Sequence, residues 1–271
     1  MSVPHPGPGN ERARIRDGAE DRAAMMRKLI ARLGRGGSGG TVTARPLAVE
    51  GLPPVTVRAS PRAKRLSMRL DRAGGGLVVT VPSWVPEAEI RRFVERHAGW
   101  ARRRLAALPP PCPFADGTVV PVLGRDRVIR HDPGHTGRPV LTDDEIRVGG
   151  GAEFLARRVR DFLKAEARER LAALSREKSA AVDRRVAAVS VRDTTSRWGS
   201  CSSTGRLSYS WRLILAPPFV LDYVVAHEVA HLVELNHSHR FWRVVDTLTP
   251  HAVEARAWLK ANGAGLLRIG S

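Results

Sequence analysis

Two cysteines, two tyrosines, five lysines among 45 basic side chains and no long apolar run set the first limits on this 271-residue chain. Cys112 and Cys201 cannot build a disulfide framework, and without a C-x-x-C pair there is neither a redox dithiol nor a cysteine zinc ribbon. Two reduced, partly buried thiols in a reducing cytoplasm are expected instead. Nowhere do about 18 uncharged apolar residues follow one another, so no membrane-spanning helix and no membrane partner are expected. The opening also lacks the apolar centre of a secretory signal. A cytoplasmic location is the resulting expectation.

Charge is the property in excess. The formal net charge is +18, and clustered Lys and Arg gain affinity for phosphate by releasing counterions. That raises nucleic acid as a candidate partner. The shortage of lysine beside plentiful Ala, Gly and Arg fits a general compositional bias and a solvated basic surface better than a selected patch.

Hydrophobic residues make up 42% of the chain, an ordinary globular share, but they are unevenly placed. Residues 1–40 begin rich in Pro and Gly, end in a Gly/Ser tract and hold one short apolar cluster, which predicts a disordered tail and linker. Residues 41–150 predict a strand-rich amino-terminal lobe. Apolar alternation through Val55 and Val57, through Leu66, Met68 and Leu70, and through Leu77, Val79 and Val81 marks strands. Within the lobe, Ile90, Phe93, Val94, Ala98, Ala101, Leu105 and Leu108 recur at helical spacing, predicting one helix over 87–108 whose other face carries six arginines. Further strands are expected in TVVPVLGRDRVIRHD and DEIRVGG.

Residues 151–271 predict a second lobe. A long amphipathic helix spans Glu153 to about Lys178. A strand, a Gly/Ser loop and a second strand ending at Pro217 and Pro218 follow. These prolines suit the first turn of a helix, and PFVLDYVVAHEVAHLVEL is apolar almost all round, as in a buried helix, with Asn236 as a left-handed stop. Two further helices, HRFWRVVDTLT and HAVEARAWLKAN, complete the lobe.

The buried helix carries the chemistry. HEVAHLVELNHSHRFW packs four of the nine histidines into sixteen positions. His227 and His231, four apart, stand on one helix face, and with Glu228 between them they fit H-E-x-x-H, in which two imidazoles bind zinc and the glutamate serves as general base. Placing these groups along so apolar a helix costs free energy unless a cation pairs with them. Catalytic zinc usually takes three protein ligands and leaves a fourth position to water. His237 is the leading third candidate, because a turn after the helix could bring it back. His239 and Glu254 are alternatives, and His251 reads as a helix start. Glu234 stands where the metzincin pattern has glycine, so a metzincin turn is not supported. Tyr209, Tyr223, Arg212 and Arg240 are candidate donors to an oxyanion. The strand GRLSYSWRLIL could pair with an extended peptide or be an ordinary core strand. Trp198, Trp211 and Trp242 are expected to pack around the site.

Residues 197–242, from R-W-G-S-C-S through W-R-L-I-L-A-P-P to H-E-V-A-H and N-H-S-H-R-F-W, resemble the signature of the YgjP-like metallopeptidases, relatives of the SprT-like zinc proteases. The resemblance extends more loosely over about 50–265. It implies an α+β fold with a zincin-like core, in which the H-E-x-x-H helix packs on a small sheet, beside the strand-rich amino-terminal lobe. It also implies zinc held by His227, His231 and His237, with Glu228 catalytic and a protein or peptide as substrate. The sequence leaves oligomeric state open. Two other functions compete with the peptidase: a nucleic-acid-associated protein docking through the arginine helix, alone or as a protease acting on DNA-bound proteins, and a zinc-stabilised scaffold. A purely structural site needs no glutamate beside its ligand, which speaks against the scaffold.

Overall fold

The computed structural model describes residues 44–271. The tail expected over 1–40 lies outside the described residues. The rest is mixed α+β, with three small sheets and six α-helices among the described residues. No described helix is long and apolar enough to cross a membrane.

The described residues divide into two compact units, one comprising 44–71 and 75–108, the other 72–74 and 109–271. The first contains β1 (Ala44–Leu47), β2 (Val55–Ala59), β3 (Ser67–Asp71) and β4 (Gly76–Val81), in sheet order β1-β2-β4-β3 with β2 and β4 parallel. The alternation in the sequence places Val55, Val57, Met68, Leu77, Val79 and Val81 in one apolar core with Ile90, Phe93, Val94 and Ala101. The single helix expected over 87–108 is two, α1 (Glu87–Arg96) and α2 (Ala98–Ala106). His97 leaves helical geometry at the join, where its Nδ1 lies 2.7 Å from the Phe93 carbonyl, and Gly99 follows with its low helix propensity. Part of the arginine face is used internally. Arg91 donates to the Ala48 carbonyl at 2.6 Å and Arg102 to that of Gly51 at 3.2 Å.

The second unit begins with β5 (Val119–Val122), β6 (Arg125–His131), β7 (Val140–Leu141) and β8 (Glu145–Val148), in order β5-β6-β8-β7. A division at residue 150 would separate these strands from their own core. Val120, Val122, Ile129, Ile146 and Val148 are buried with Leu155, Val159, Leu163, Trp211 and Val225 in a single cluster, so the compact units part near residue 108. β5 and β6 meet through Leu123 and Gly124, both at positive φ, the geometry of a tight hairpin turn.

The long amphipathic helix is α3 (Leu155–Ala181), preceded by a 3-10 turn at Ala152–Phe154. Next come β9 (Ala188–Arg192), β10 (Gly199–Cys201) and β11 (Arg206–Ser210), in order β10-β11-β9. The expected Gly/Ser loop thus contains a strand, and the following strand stops at Ser210. Trp211–Leu215 winds into a buried 3-10 turn rather than extending to the prolines. Three helices finish the unit: α4 (Pro218–Ala230), α5 (His239–Leu248) and α6 (Ala252–Leu266). α4 begins with Pro218 in its first turn, packs against α3, α5, α6 and β10, and is buried at nine positions. It stops earlier than expected. His231 is its C-cap, the amide of Glu234 turns back to Ala230, and Asn236 has no left-handed backbone.

Candidate metal and active site

The early end of α4 is what assembles the site. Residues 231–238 reverse the chain, and Ser238 caps α5 by accepting a hydrogen bond from the Phe241 amide at 3.3 Å. His237 is thereby returned to the histidines of α4. One ring nitrogen from each of His227, His231 and His237 lies within 4.8 Å of the others. The Nε2 atoms of His227 and His237 are 3.2 Å apart. A tetrahedral ion with bonds of about 2.0–2.1 Å would separate two ligand nitrogens by about 3.3–3.4 Å, so this edge already has the required length.

The surroundings favour ligand behaviour. Nδ1 of His231 faces the Glu234 carbonyl at 3.2 Å, which selects the Nδ1–H tautomer and leaves Nε2 as a lone-pair donor. Burial pushes the His227 imidazole down to about 3, with the charges of His231, His237 and Arg256 adding to the effect, so it is neutral in ordinary buffers. Burial also lowers His231, opposed by its hydrogen bond to Glu234. Phe241, fully buried, lies 5.0, 4.5 and 4.7 Å from the rings of His227, His231 and His237 and forms an apolar floor beneath them. Three imidazoles converging over such a floor fit a divalent cation of the zinc type. Nδ1 of His227 is buried and has no protein hydrogen-bond partner.

His239 and Glu254 do not join this cluster. Both are exposed, His239 at the start of α5 and Glu254 in the first turn of α6. His251 occupies the N-cap position of α6, a helix start as expected, without a side-chain cap hydrogen bond.

Glu228 is buried, with 6% of its surface exposed. Burial pushes its carboxyl up to about 8, against the opposing charge of Arg197. A buried carboxylate of this kind ionises at neutral pH only when further positive charge is nearby. The backbone of Gly199 on β10 comes close to its side chain. A Cβ built there would lie 2.6 Å from the Glu228 Cγ and 2.7 Å from its Cδ, and would crowd Oε1 as well. Glycine is therefore required by close approach. Sequence reasoning missed both Gly199 and Arg197, although a glycine inside a strand is the usual mark of such an approach.

The four oxyanion candidates separate clearly. Tyr209 is fully buried, and its hydroxyl lies 3.0 Å from Ser175 Oγ, away from solvent. Arg212 is buried, paired with Asp193 and stacked 4.7 Å over the Trp211 ring. Arg240 is exposed on α5. Only Tyr223 borders the histidines, its ring edge-on to His227 at 5.9 Å, and burial pushes its phenol up to about 12 so that it keeps its proton.

Of the tryptophans, Trp211 is a fully buried core residue, and Trp198 is half-buried against Gly263. Trp242 lies beside the site, 6.0 Å from His227 and 6.1 Å from His237. β11 is the middle strand of its sheet, so it cannot receive a peptide. The strand beside Glu228 with an edge unpaired among the described residues is β10. Cys112 and Cys201 are free thiols.

Comparison with protein families matches the YgjP-like metallopeptidase domain over residues 64–262. The chain belongs to the YgjP-like family. Its matched region runs from the approach to β3 into α6 and includes every residue of the histidine cluster. Searches of curated proteins and of solved structures returned no significant match. Membership of a metallopeptidase family makes a metal ion and peptide hydrolysis the chemistry of this YgjP-like chain at the coarse level.

Proposed function

We propose that the chain is a zinc-dependent peptidase with a zincin-like core, in which α4 packs on the β10-β11-β9 sheet and His227, His231 and His237 hold the metal. The observation that carries this reading is the convergence of three imidazole nitrogens next to a buried glutamate on the same helix. Zinc, when bound, polarises the scissile carbonyl and lowers the pKa of a water to about 7.

The protein's own residues supply the rest. Glu228 accepts a proton from the attacking water at its carboxylate and returns it to the leaving amine. Gly199 leaves the space in which that carboxylate sits. The free edge of β10 hydrogen-bonds an extended peptide through backbone groups, which accounts for tolerance of many sequences. Tyr223 donates its phenolic proton in a hydrogen bond to the developing oxyanion. Phe241 and the apolar face of α4 exclude water from below.

Glu228→Gln tests the assignment. The variant should hold one zinc per chain and lose cleavage of an unfolded protein such as casein. Cleavage at the wild-type rate would remove Glu228 from the mechanism, and loss of zinc would make it a structural residue.

A further inference from the structure

One guanidinium near the site is not committed to any acid. Arg256, half-buried on α6, donates through Nε to the Ala252 carbonyl at 3.1 Å, one turn back on its own helix. Its Cζ lies 5.2 Å over the ring of Trp242. That ring is in turn 6.0 and 6.1 Å from the rings of His227 and His237. The cation is thus one aromatic ring away from the histidine cluster. No carboxylate stands within ion-pair distance of it among the described residues, whereas Arg212, buried in the same unit, is matched to Asp193.

An arginine resting on a tryptophan is common at protein surfaces, where its head faces bulk water. Here the stacking face is occupied by Trp242 and Nε by the helix carbonyl. The Nη edge remains, and it is the edge that forms paired hydrogen bonds to a carboxylate. Contact with the Trp242 ring and the bond from Nε restrict the guanidinium, so less rotamer freedom is left to lose on binding.

We propose that Arg256 is a specificity residue that binds a carboxylate of the peptide substrate close to the scissile bond. This rests on the zinc-peptidase reading above. Two sources present that chemistry: the carboxyl terminus of a peptide, and an Asp or Glu side chain within it. Because Arg256 is partly exposed, the preference should be modest, about three- to tenfold in affinity.

The test uses zinc-loaded full-length chain carrying Glu228→Gln, so that binding is read without turnover, and short fluorescent peptides in matched pairs. One pair has a free carboxyl terminus or its amide. The other has an internal Glu or Gln in an amidated peptide. Fluorescence anisotropy should show tighter binding of the acidic member in at least one pair, and the pair that discriminates names the source. Adding Arg256→Gln should abolish that ratio, and Arg256→Lys should keep part of it, with zinc content measured in each variant. The same ratio with and without Arg256, or no preference in the parent protein, overturns the proposal. If the Arg256-dependent preference is present but the chain with Glu228 intact cleaves none of these peptides, the carboxylate assignment stands and the peptidase reading is overturned.

Discussion

Gly199→Ala is the smallest change that should stop the chemistry while leaving the metal in place. The added methyl would lie 2.6–2.7 Å from the Glu228 Cγ and Cδ, where ordinary carbon contacts are about 3.5–4.0 Å. Either the carboxylate or β10 must therefore retreat by about 1 Å. Overpacking of this kind costs about 1–3 kcal/mol of stability, and a displacement of about 1 Å at a reacting group costs about 100-fold in rate. Gly199 is not among the residues at positive φ, so the substitution adds no left-handed backbone strain, and the effect reports on space beside Glu228. The assay is kcat/KM on a fluorogenic casein substrate, with zinc content by elemental analysis and thermal unfolding measured on the same preparation. A fall of about 100-fold with one zinc retained is expected. Wild-type activity in a folded, zinc-loaded Gly199→Ala chain would refute the packing of β10 against a working Glu228 carboxylate.

Other expectations follow from the same geometry. Tyr223→Phe should lower kcat about tenfold or more with little change in zinc content, as read by steady-state kinetics; an unchanged kcat would take the phenol out of the reaction. Burial, with the Glu228 charge second, pushes the Cys201 thiol up to about 11. Its thiolate is correspondingly scarce at pH 8, so iodoacetamide should label it about 100 times more slowly than an ordinary thiol, with the rate climbing until the pH passes 11. Mass spectrometry of the labelled peptide checks this, and rapid labelling of the folded chain at pH 8 would contradict it. Ser238→Ala removes the cap of α5 and should cost about 1 kcal/mol, together with weaker zinc retention in a chelator competition, because the cap follows His237 directly. Lys178 bonds the Leu248 carbonyl at 2.7 Å and the Asp222 carboxylate at 2.6 Å. Lys178→Met should lower stability by about 2–4 kcal/mol in urea unfolding, since Asp222 is left less than half exposed with Thr249 as its one partner among the described residues.

The helix that bears the site was legible because H-E-x-x-H fixes two imidazoles and a carboxylate by helical periodicity alone, and because Pro218 marks the start so clearly. The third imidazole needed more than periodicity. His237, His239 and Glu254 differ only in where a turn places them, and that turn depends on the chain leaving α4 at His231 rather than at Asn236. The sequence contains the cause, a histidine able to engage the Glu234 carbonyl, but no local pattern distinguishes that bond from four more residues of helix. The strands of the first unit were readable from alternation, whereas the break at His97 was hidden under an unbroken apolar stripe. Strand content suggests a lobe boundary at 150, whereas the described residues cluster into units that part near 108, because strand content says nothing about which core the strands serve. Val120, Val122, Ile129, Ile146 and Val148 look like their predecessors in sequence, yet they are buried with residues of α3 and α4. Gly199 and Arg256 escaped for a related reason: each matters through a neighbour distant in the chain, Glu228 in one case and Trp242 in the other.

On the proposed function, three imidazoles share one metal ion. X-ray absorption at the zinc edge, recorded on metal-stripped chain reloaded with one equivalent of zinc, reads that first coordination sphere directly. The account predicts three imidazole nitrogens at about 2.0–2.1 Å and one light oxygen, with an imidazole lost in His237→Ala. A sulfur scatterer from Cys201 or Cys112, or a spectrum unaffected by His237→Ala, would contradict it.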